Sequence, residues 1–223
     1  MPKTGGTSFR KSLEQHFDGK LLFDYDDLPL HKTHEQRMSD VRAFQKRLLT
    51  DSDGSVIPEG TSCIYGHFLA LKYKQLLNRR NVQFVTWLRE PAERLASHYH
   101  HWVRNCGDAS PDFVKKIVKE NWSLAQFCMA PEMRNTQSLF LQGFSLSDFA
   151  FVGITAHYHS DFAYFSKKYL GKKQWRMPQL NVNRTKKATY FTDKDLLAEI
   201  RQFHDLDYTL YQEAVKMRTK RLS

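Results

Sequence analysis

The sequence predicts an α/β fold in which a parallel β-sheet is covered by α-helices. Segments 82–88 (VQFVTWL) and 149–154 (FAFVGI) are nearly continuous apolar runs, which is typical of strands buried on both faces of a sheet. Segments with the apolar spacing of a helix lie before, between and after these two runs. Because strands that alternate with helices are connected by crossovers, the pattern favours a parallel sheet.

The first half of the chain alternates between short strands and helices. Phe9, Leu13 and Phe17 recur every four residues after a glycine-containing turn, which predicts a helix on that stripe. Asp-Gly and Pro signals within 51–60 predict a loop. The remaining elements predicted here are strands at 21–25 and 61–65 and helices at 34–49 and 69–77.

The second half is mostly helical. Pro91 follows the buried strand and suits the first turn of a helix. That helix carries an apolar stripe of Leu95, Tyr99, Trp102 and Val103. The helices predicted beyond it are 111–142, broken near Pro131, then 157–170 and 193–217. Because no composition shift marks a boundary, we expect one domain over residues 1–223.

The chain is strongly basic. Its 34 Lys and Arg outnumber 24 Asp and Glu among 223 residues, which gives a formal net charge of +10. Excess positive charge attracts nucleic acid, acidic polysaccharide, anionic lipid or a phosphorylated cofactor, although solubility alone explains it equally well. Three cysteines without a CxxC pair argue against a disulfide framework or zinc ribbon and suit a reducing compartment. We see neither a secretory signal nor a membrane-spanning run.

The first chemical motif is Pro2-Lys3-Thr4-Gly5-Gly6-Thr7-Ser8, which runs into the first helix. Two glycines let backbone N–H groups close around an anion, and the helix N-terminus adds a favourable dipole. Hydroxyl donors and the Lys3 charge complete a predicted phosphate-binding loop made of Lys3, Thr4, Gly5, Gly6, Thr7 and Ser8. The lysine precedes the glycines, so this is not a Walker A loop. The alternative is a helix-capping turn with an incidental lysine.

The second motif spans 89–99 (REPAERLASHY). Arg89 follows a buried strand at the edge where α/β sheets bind ligands. Ser97 lies about two turns into the next helix and can return to that strand end. The two side chains together suit a second phosphate, which arginine binds bidentately. The alternative is a surface arginine and an unrelated small helix residue.

Together the two motifs resemble the sulfotransferases that use 3′-phosphoadenosine 5′-phosphosulfate (PAPS), in particular the carbohydrate branch that includes the heparan sulfate 2-O- and 6-O-sulfotransferases. The resemblance implies a P-loop-like three-layer fold with a central parallel sheet flanked by helices. It also implies sulfuryl transfer from PAPS to a hydroxyl of an acidic or neutral glycan, without metal, nucleic acid or membrane span. In that family a hydrophobic strand precedes the loop. Because Met1 directly precedes Pro2 here, we expect the first strand to be truncated.

The resemblance assigns roles to single residues. Lys3 to Ser8 would hold the 5′-phosphosulfate, and Arg89 with Ser97 would hold the 3′-phosphate. His67, which follows a strand and Gly66, would be the general base, and Lys3 would stabilise the leaving group. The loop at 181–190 would close over the nucleotide through Asn183, Lys186, Lys187 and Thr189.

Other candidates are weaker. Asn135 and Gln137 are possible acceptor contacts, and the histidines at 98, 100, 101, 157 and 159 are read as structural or acceptor-facing. Animal relatives carry a membrane anchor, which this chain lacks, so the expected location is the cytoplasm. The competing functions are a P-loop nucleotide kinase-like phosphotransferase, which would need magnesium, a polyanion-binding module, and a degenerate nucleotide binder without turnover.

Overall fold

A computed structural model describes residues 1–50, 57–171, 190–191 and 193–223. The strands are β1 (Leu21–Asp24), β2 (Cys63–Gly66), β3 (Phe84–Leu88) and β4 (Phe149–Ile154). The helices are α1 (Gly6–Phe17), α2 (His34–Thr50), α3 (Pro91–Asn105), α4 (Asp112–Lys119), α5 (Leu124–Cys128), α6 (Thr136–Phe140), α7 (Tyr158–Tyr169), α8 (Lys194–Phe203) and α9 (Asp205–Leu222). Short 3-10 helices lie at Pro29–His31, Ala70–Asn78, Pro131–Met133, Leu146–Asp148 and Thr155–His157.

The predicted mixed α/β class is confirmed, and all four predicted strands form. Two details of the helices differ: the segment predicted as a helix at 69–77 is 3-10 in character, and the segment at 193–217 is two helices that meet at His204. Of the predicted loop at 51–60, only residues 57–60 belong to the described part.

The predicted single central sheet does not form among the described residues. Instead β1 pairs with β2 and β3 pairs with β4, giving two separate parallel sheets of two strands each. A buried apolar run shows that a strand is covered on both faces, but it does not reveal which strand lies beside it. The P-loop-like three-layer arrangement therefore remains an expectation from the resemblance.

The β1–β2 pair positions His67. Asp24 lies opposite Gly66 in the register, and a Cβ added at Gly66 would lie 1.6 Å from the Asp24 carbonyl oxygen. Only glycine permits this approach. The backbone N–H of His67 then donates to the same carbonyl at 3.0 Å. His67 is thus held at the carboxyl end of the strand pair.

The β3–β4 pair is covered by helices from both termini of the described chain. Phe9 of α1 packs edge-on against Trp87 of β3, with ring centroids 5.6 Å apart. On the α9 side, the buried Asp161 accepts hydrogen bonds from the Ile154 backbone at 2.8 Å and from Arg218 at 2.7 Å. The Arg218–Asp161 ion pair therefore connects the last helix to the end of β4. Burial of the Asp161 carboxylate without a paired cation would be strongly destabilising.

Candidate functional site

The loop before α1 has two residues in the left-handed region, Lys3 at φ 66° and Gly5 at φ 83°. For a non-glycine residue such as Lys3 this conformation costs about 1–2 kcal/mol. Thr4 between them is buried, and its hydroxyl donates to the Met1 carbonyl at 3.0 Å. In this conformation the Thr4 hydroxyl stabilises the turn itself, and its predicted role as a phosphate donor stays a prediction.

The two glycines of the loop lie against aromatic side chains. A Cβ at Gly5 would lie 2.7 Å from the Tyr158 ring, and one at Gly6 would lie 2.7 Å from the Tyr65 hydroxyl. That hydroxyl donates to the Gly6 carbonyl at 2.8 Å. Close backbone approach is the reason that these positions need glycine.

Arg89 reaches the same loop from the end of β3. Its Nη1 lies 3.5 Å from the Lys3 carbonyl oxygen, and its Nη2 pairs with the Glu93 carboxylate at 3.2 Å. The Arg89 side chain is only 16% exposed. The fold thus unites two motifs that lie 86 residues apart.

Gln137 sets the position of the Arg89 backbone. The Gln137 side chain accepts from the Arg89 N–H at 3.0 Å and donates to the Arg89 carbonyl at 2.9 Å, as a neighbouring strand would. Gln137 is buried, and its amide oxygen and nitrogen both bind Arg89; its predicted contact with an acceptor stays a prediction. It is a positioning residue.

Gln137 is itself held by the last two helices. The buried Asp207 carboxylate accepts from the backbone N–H of Gln137 at 3.0 Å and of Ser138 at 2.7 Å, and so caps α6. The Asn135 N–H donates to His204 Nδ1 at 3.1 Å, so the proton on His204 sits on Nε2, which donates to the Cys128 carbonyl at 2.7 Å. Asn135 therefore belongs to this scaffold too. The sequence singled out Asn135 as a candidate acceptor contact, but it did not predict this hydrogen-bonded scaffold.

Lys3 stands in a concentrated positive field. Burial lowers the pKa of Lys3 first, and the charges of Arg89 and Arg104 lower it further. His101 is affected in the same way: burial, then Lys3 and Arg104, lower its pKa. Lys3, Arg89 and Arg104 therefore concentrate positive charge in one region of the molecule, near His101.

Ser97 shares the face of α3 that carries His101. It lies one turn from Glu93 on one side and one turn from His101 on the other, and residues four apart are neighbours on a helix surface. The Glu93 carboxylate pairs with Arg89, and the charge of Lys3 lowers the pKa of His101. Ser97 therefore lies on α3 between these two residues. The structure thus brings Lys3 and Arg89 together, and the role of Ser97 beside them stays a prediction.

His67 lies directly after β2, at the carboxyl end of the β1–β2 pair. Its ring packs edge-on against Tyr25, with centroids 5.1 Å apart. Burial lowers the pKa of His67 to about 3, and the terminal amino group of Met1 and His31 lower it further. The imidazole is therefore neutral at pH 7 and has a nitrogen free to accept a proton, but it is a weak base in this state.

Sequence analysis missed the buried pair beneath the loop. Arg94 of α3 is 2% exposed, and burial lowers its pKa to about 10. Its Nη1 lies 3.5 Å from His98 Nδ1, whereas its Nε and Nη2 have no hydrogen-bond partner. His98 is buried and packs against Trp102, with ring centroids 4.2 Å apart. An arginine spaced among polar helix residues looks exposed in the sequence, so only packing revealed this burial.

The other predicted residues are less informative. Thr7 is exposed, and Ser8 is half-buried with its carbonyl accepting from the Ser12 hydroxyl at 3.1 Å. The candidates Asn183, Lys186, Lys187 and Thr189 lie outside the described residues. Within the described ranges, no cluster of three or more His, Cys, Asp or Glu is arranged to hold a metal ion. No described helix is long and apolar enough to cross a membrane.

Comparison of the chain with protein-family models, with curated proteins and with solved structures finds no match.

Proposed function

We propose that the chain transfers a sulfuryl group from PAPS to a hydroxyl group of a carbohydrate. The observation that carries the proposal is the meeting of Lys3 and Arg89, two half-buried cations from distant parts of the chain, at a glycine loop. Two cations that lie together away from water repel each other, and a bound anion relieves that repulsion. The Glu93 carboxylate offsets the charge of Arg89 and does not pair with Lys3.

Two anionic groups on one ligand fit the arrangement. The loop of residues 3–8, at the start of α1, offers backbone N–H groups and Lys3 to a 5′-phosphosulfate. Arg89 and Ser97 offer a guanidinium and a hydroxyl to a 3′-phosphate. A 3′-phosphorylated nucleotide would use both parts at once, whereas a nucleotide without that group would leave Arg89 unused.

The chemical step is a displacement at sulfur. His67 takes the proton of the acceptor hydroxyl on its neutral imidazole, and the resulting oxygen forms the new bond to sulfur. The bond from sulfur to the bridging oxygen breaks, and Lys3 stabilises the negative charge left on the 5′-phosphate. The low pKa of His67 is a property of the anion-free protein, and negative charge brought by a nucleotide would raise it.

A nucleotide binder without turnover is the second candidate. The observation that favours it is the pKa of His67 near 3, because a general base works best when its pKa is close to the operating pH. The two candidates share the binding site and differ in chemistry alone.

Calorimetric titration with 3′-phosphoadenosine 5′-phosphate, beside ATP and 5′-AMP, tests the shared site. We expect micromolar binding of the 3′-phosphorylated nucleotide and at least tenfold weaker binding of the other two. Lys3→Ala and Arg89→Ala should each weaken binding, while Lys11→Ala, which removes an exposed lysine of α1, should leave it unchanged. Equal affinity for all three nucleotides would refute the site.

Turnover separates the two candidates. Transfer of labelled sulfate from PAPS to a glycan mixture by the wild type, and its loss in His67→Ala with nucleotide affinity retained, would support the enzyme. Binding with no transfer over the whole mixture would favour the binder. A magnesium requirement with ATP as donor would instead point to phosphoryl transfer.

A further inference from the structure

An open cavity of about 530 Å³ is lined by none of the residues predicted from the sequence motifs. Its walls come from the start of α2 with the turn before it, the start of α4, and the 3-10 helix at Pro131–Met133. The lining residues are His31, Lys32, Thr33, Gln36, Pro111, Asp112, Phe113, Pro131 and Glu132. The volume is in the usual range for small-molecule sites.

We propose that this cavity binds a neutral, hydroxyl-rich sugar unit, which under the proposed function is the acceptor. Only the role of this sugar as an acceptor rests on the proposed function, because sugar binding itself requires no sulfuryl donor.

A buried arginine holds the cavity walls together. Arg37 is 4% exposed, and it donates from Nε to the Lys32 carbonyl at 3.0 Å and from Nη1 to the Glu132 carbonyl at 2.8 Å. Its Nη2 is buried and has no hydrogen-bond partner. The two bonds join the turn before α2 to the 3-10 helix at Pro131–Met133 and so fix two walls of the cavity.

The charges around the cavity disfavour an acidic ligand. Lys32 is already paired with Asp40 at 2.6 Å, and Arg37 is engaged by two carbonyl groups. The carboxylates of Asp112 and Glu132 line the cavity, and a carboxylate accepts hydrogen bonds and repels a second anion. Hydroxyl groups of a neutral sugar can donate to both carboxylates.

The remaining lining groups suit the same ligand. Partial burial lowers the pKa of His31, so its imidazole is neutral at pH 7 and both donates and accepts. The Phe113 ring packs edge-on against Trp102 and Trp122, each at 5.9 Å, and is thereby held in one orientation. A fixed aromatic ring beside carboxylates can pack against the apolar face of a pyranose while its hydroxyls are bound.

The test is ligand-observed NMR on the full chain without any nucleotide. The neutral probes are lactose, maltose and N,N′-diacetylchitobiose, and the acidic probe is a hyaluronan disaccharide that contains glucuronate. We expect millimolar binding of at least one neutral probe and at least fivefold weaker binding of the acidic one. Asp112→Asn and Phe113→Ala should each weaken the neutral probe about tenfold, while Asp108→Asn, an exposed change outside the cavity lining, should not.

Absence of binding by every neutral probe at 20 mM overturns the inference, taking ~20 mM as the weak limit of a useful sugar site. Preferred binding of the acidic probe, or binding unaffected by Asp112→Asn and Phe113→Ala, overturns it as well. Because nucleotide binding is measured separately, sugar binding in the cavity and the proposed sulfotransferase activity can be refuted independently. A chain that binds sugar and no nucleotide would support the sugar site and refute the proposed sulfotransferase.

Discussion

Replacement of Gln137 by Met tests whether a buried amide, rather than the strand alone, positions Arg89. Met has the length and unbranched shape of Gln but cannot donate a hydrogen bond. The change therefore leaves both peptide groups of Arg89 that now bind Gln137, the N–H at 3.0 Å and the C=O at 2.9 Å, without their partner.

The expected loss follows from these two contacts. Each buried peptide group that loses its partner costs about 1–3 kcal/mol, and both groups here are partly buried, so we expect the free energy of unfolding to fall by about 2–4 kcal/mol. Freed from its anchor, the Arg89 guanidinium would no longer be held beside the loop. We expect the affinity for 3′-phosphoadenosine 5′-phosphate to fall about tenfold or more, which corresponds to about 1.4 kcal/mol.

Urea denaturation and calorimetric titration measure the two effects. Gln142→Met, a matched change in the segment just after α6, should alter the free energy of unfolding by less than about 0.5 kcal/mol. Arg89→Met should abolish nucleotide binding yet change stability by less than about 1 kcal/mol, because it leaves the peptide contacts intact. If Gln137→Met is as stable as Gln142→Met, or binds the nucleotide as the wild type does, the positioning argument is refuted.

Three further changes probe the loop, its counter-charge and the buried helix face. Glu93→Gln removes the carboxylate 3.2 Å from Arg89 and should tighten nucleotide binding severalfold by calorimetry, because the competing internal anion is gone; weaker binding would contradict this. Gly5→Ala places a Cβ 2.7 Å from an aromatic ring at φ 83° and should lower the free energy of unfolding by at least about 2 kcal/mol more than Gly19→Ala, whose φ is 70° but whose surroundings are open; similar losses in urea denaturation would show that the loop is not tightly packed. His98 should also make stability fall as pH drops below 6.5, by up to about 1.4 kcal/mol per pH unit in addition to the contribution of His67. Burial and the Arg94 charge hold the pKa of His98 well below its usual value, so the unfolded chain binds a proton there that the folded chain does not. His98→Met should reduce that slope, and an unchanged slope would remove His98 as its source.

Local patterns were sufficient for much of the secondary structure. The apolar run FAFVGI predicted a strand at 149–154, and β4 has those bounds. Pro91 predicted the start of α3, which begins there. These features depend on neighbours within a few residues, through backbone preferences and the alternation of apolar side chains. The break at His204 was not predicted, because it is set by contacts of that ring with residues of α5 and α6.

For the site, the sequence alone determined which residue types are present and where each motif begins: a glycine loop before a helix, an arginine after a buried strand and a histidine after another. Only the tertiary structure decided that Arg89 meets Lys3, that the Thr4 hydroxyl turns inward, that Gln137 serves the Arg89 backbone, and that the strands pair as two sheets. The physical reason is the separation along the sequence of the residues that interact. Secondary structure responds to side chains a few positions away, whereas these contacts join segments up to 86 residues apart and depend on which surfaces the fold brings together.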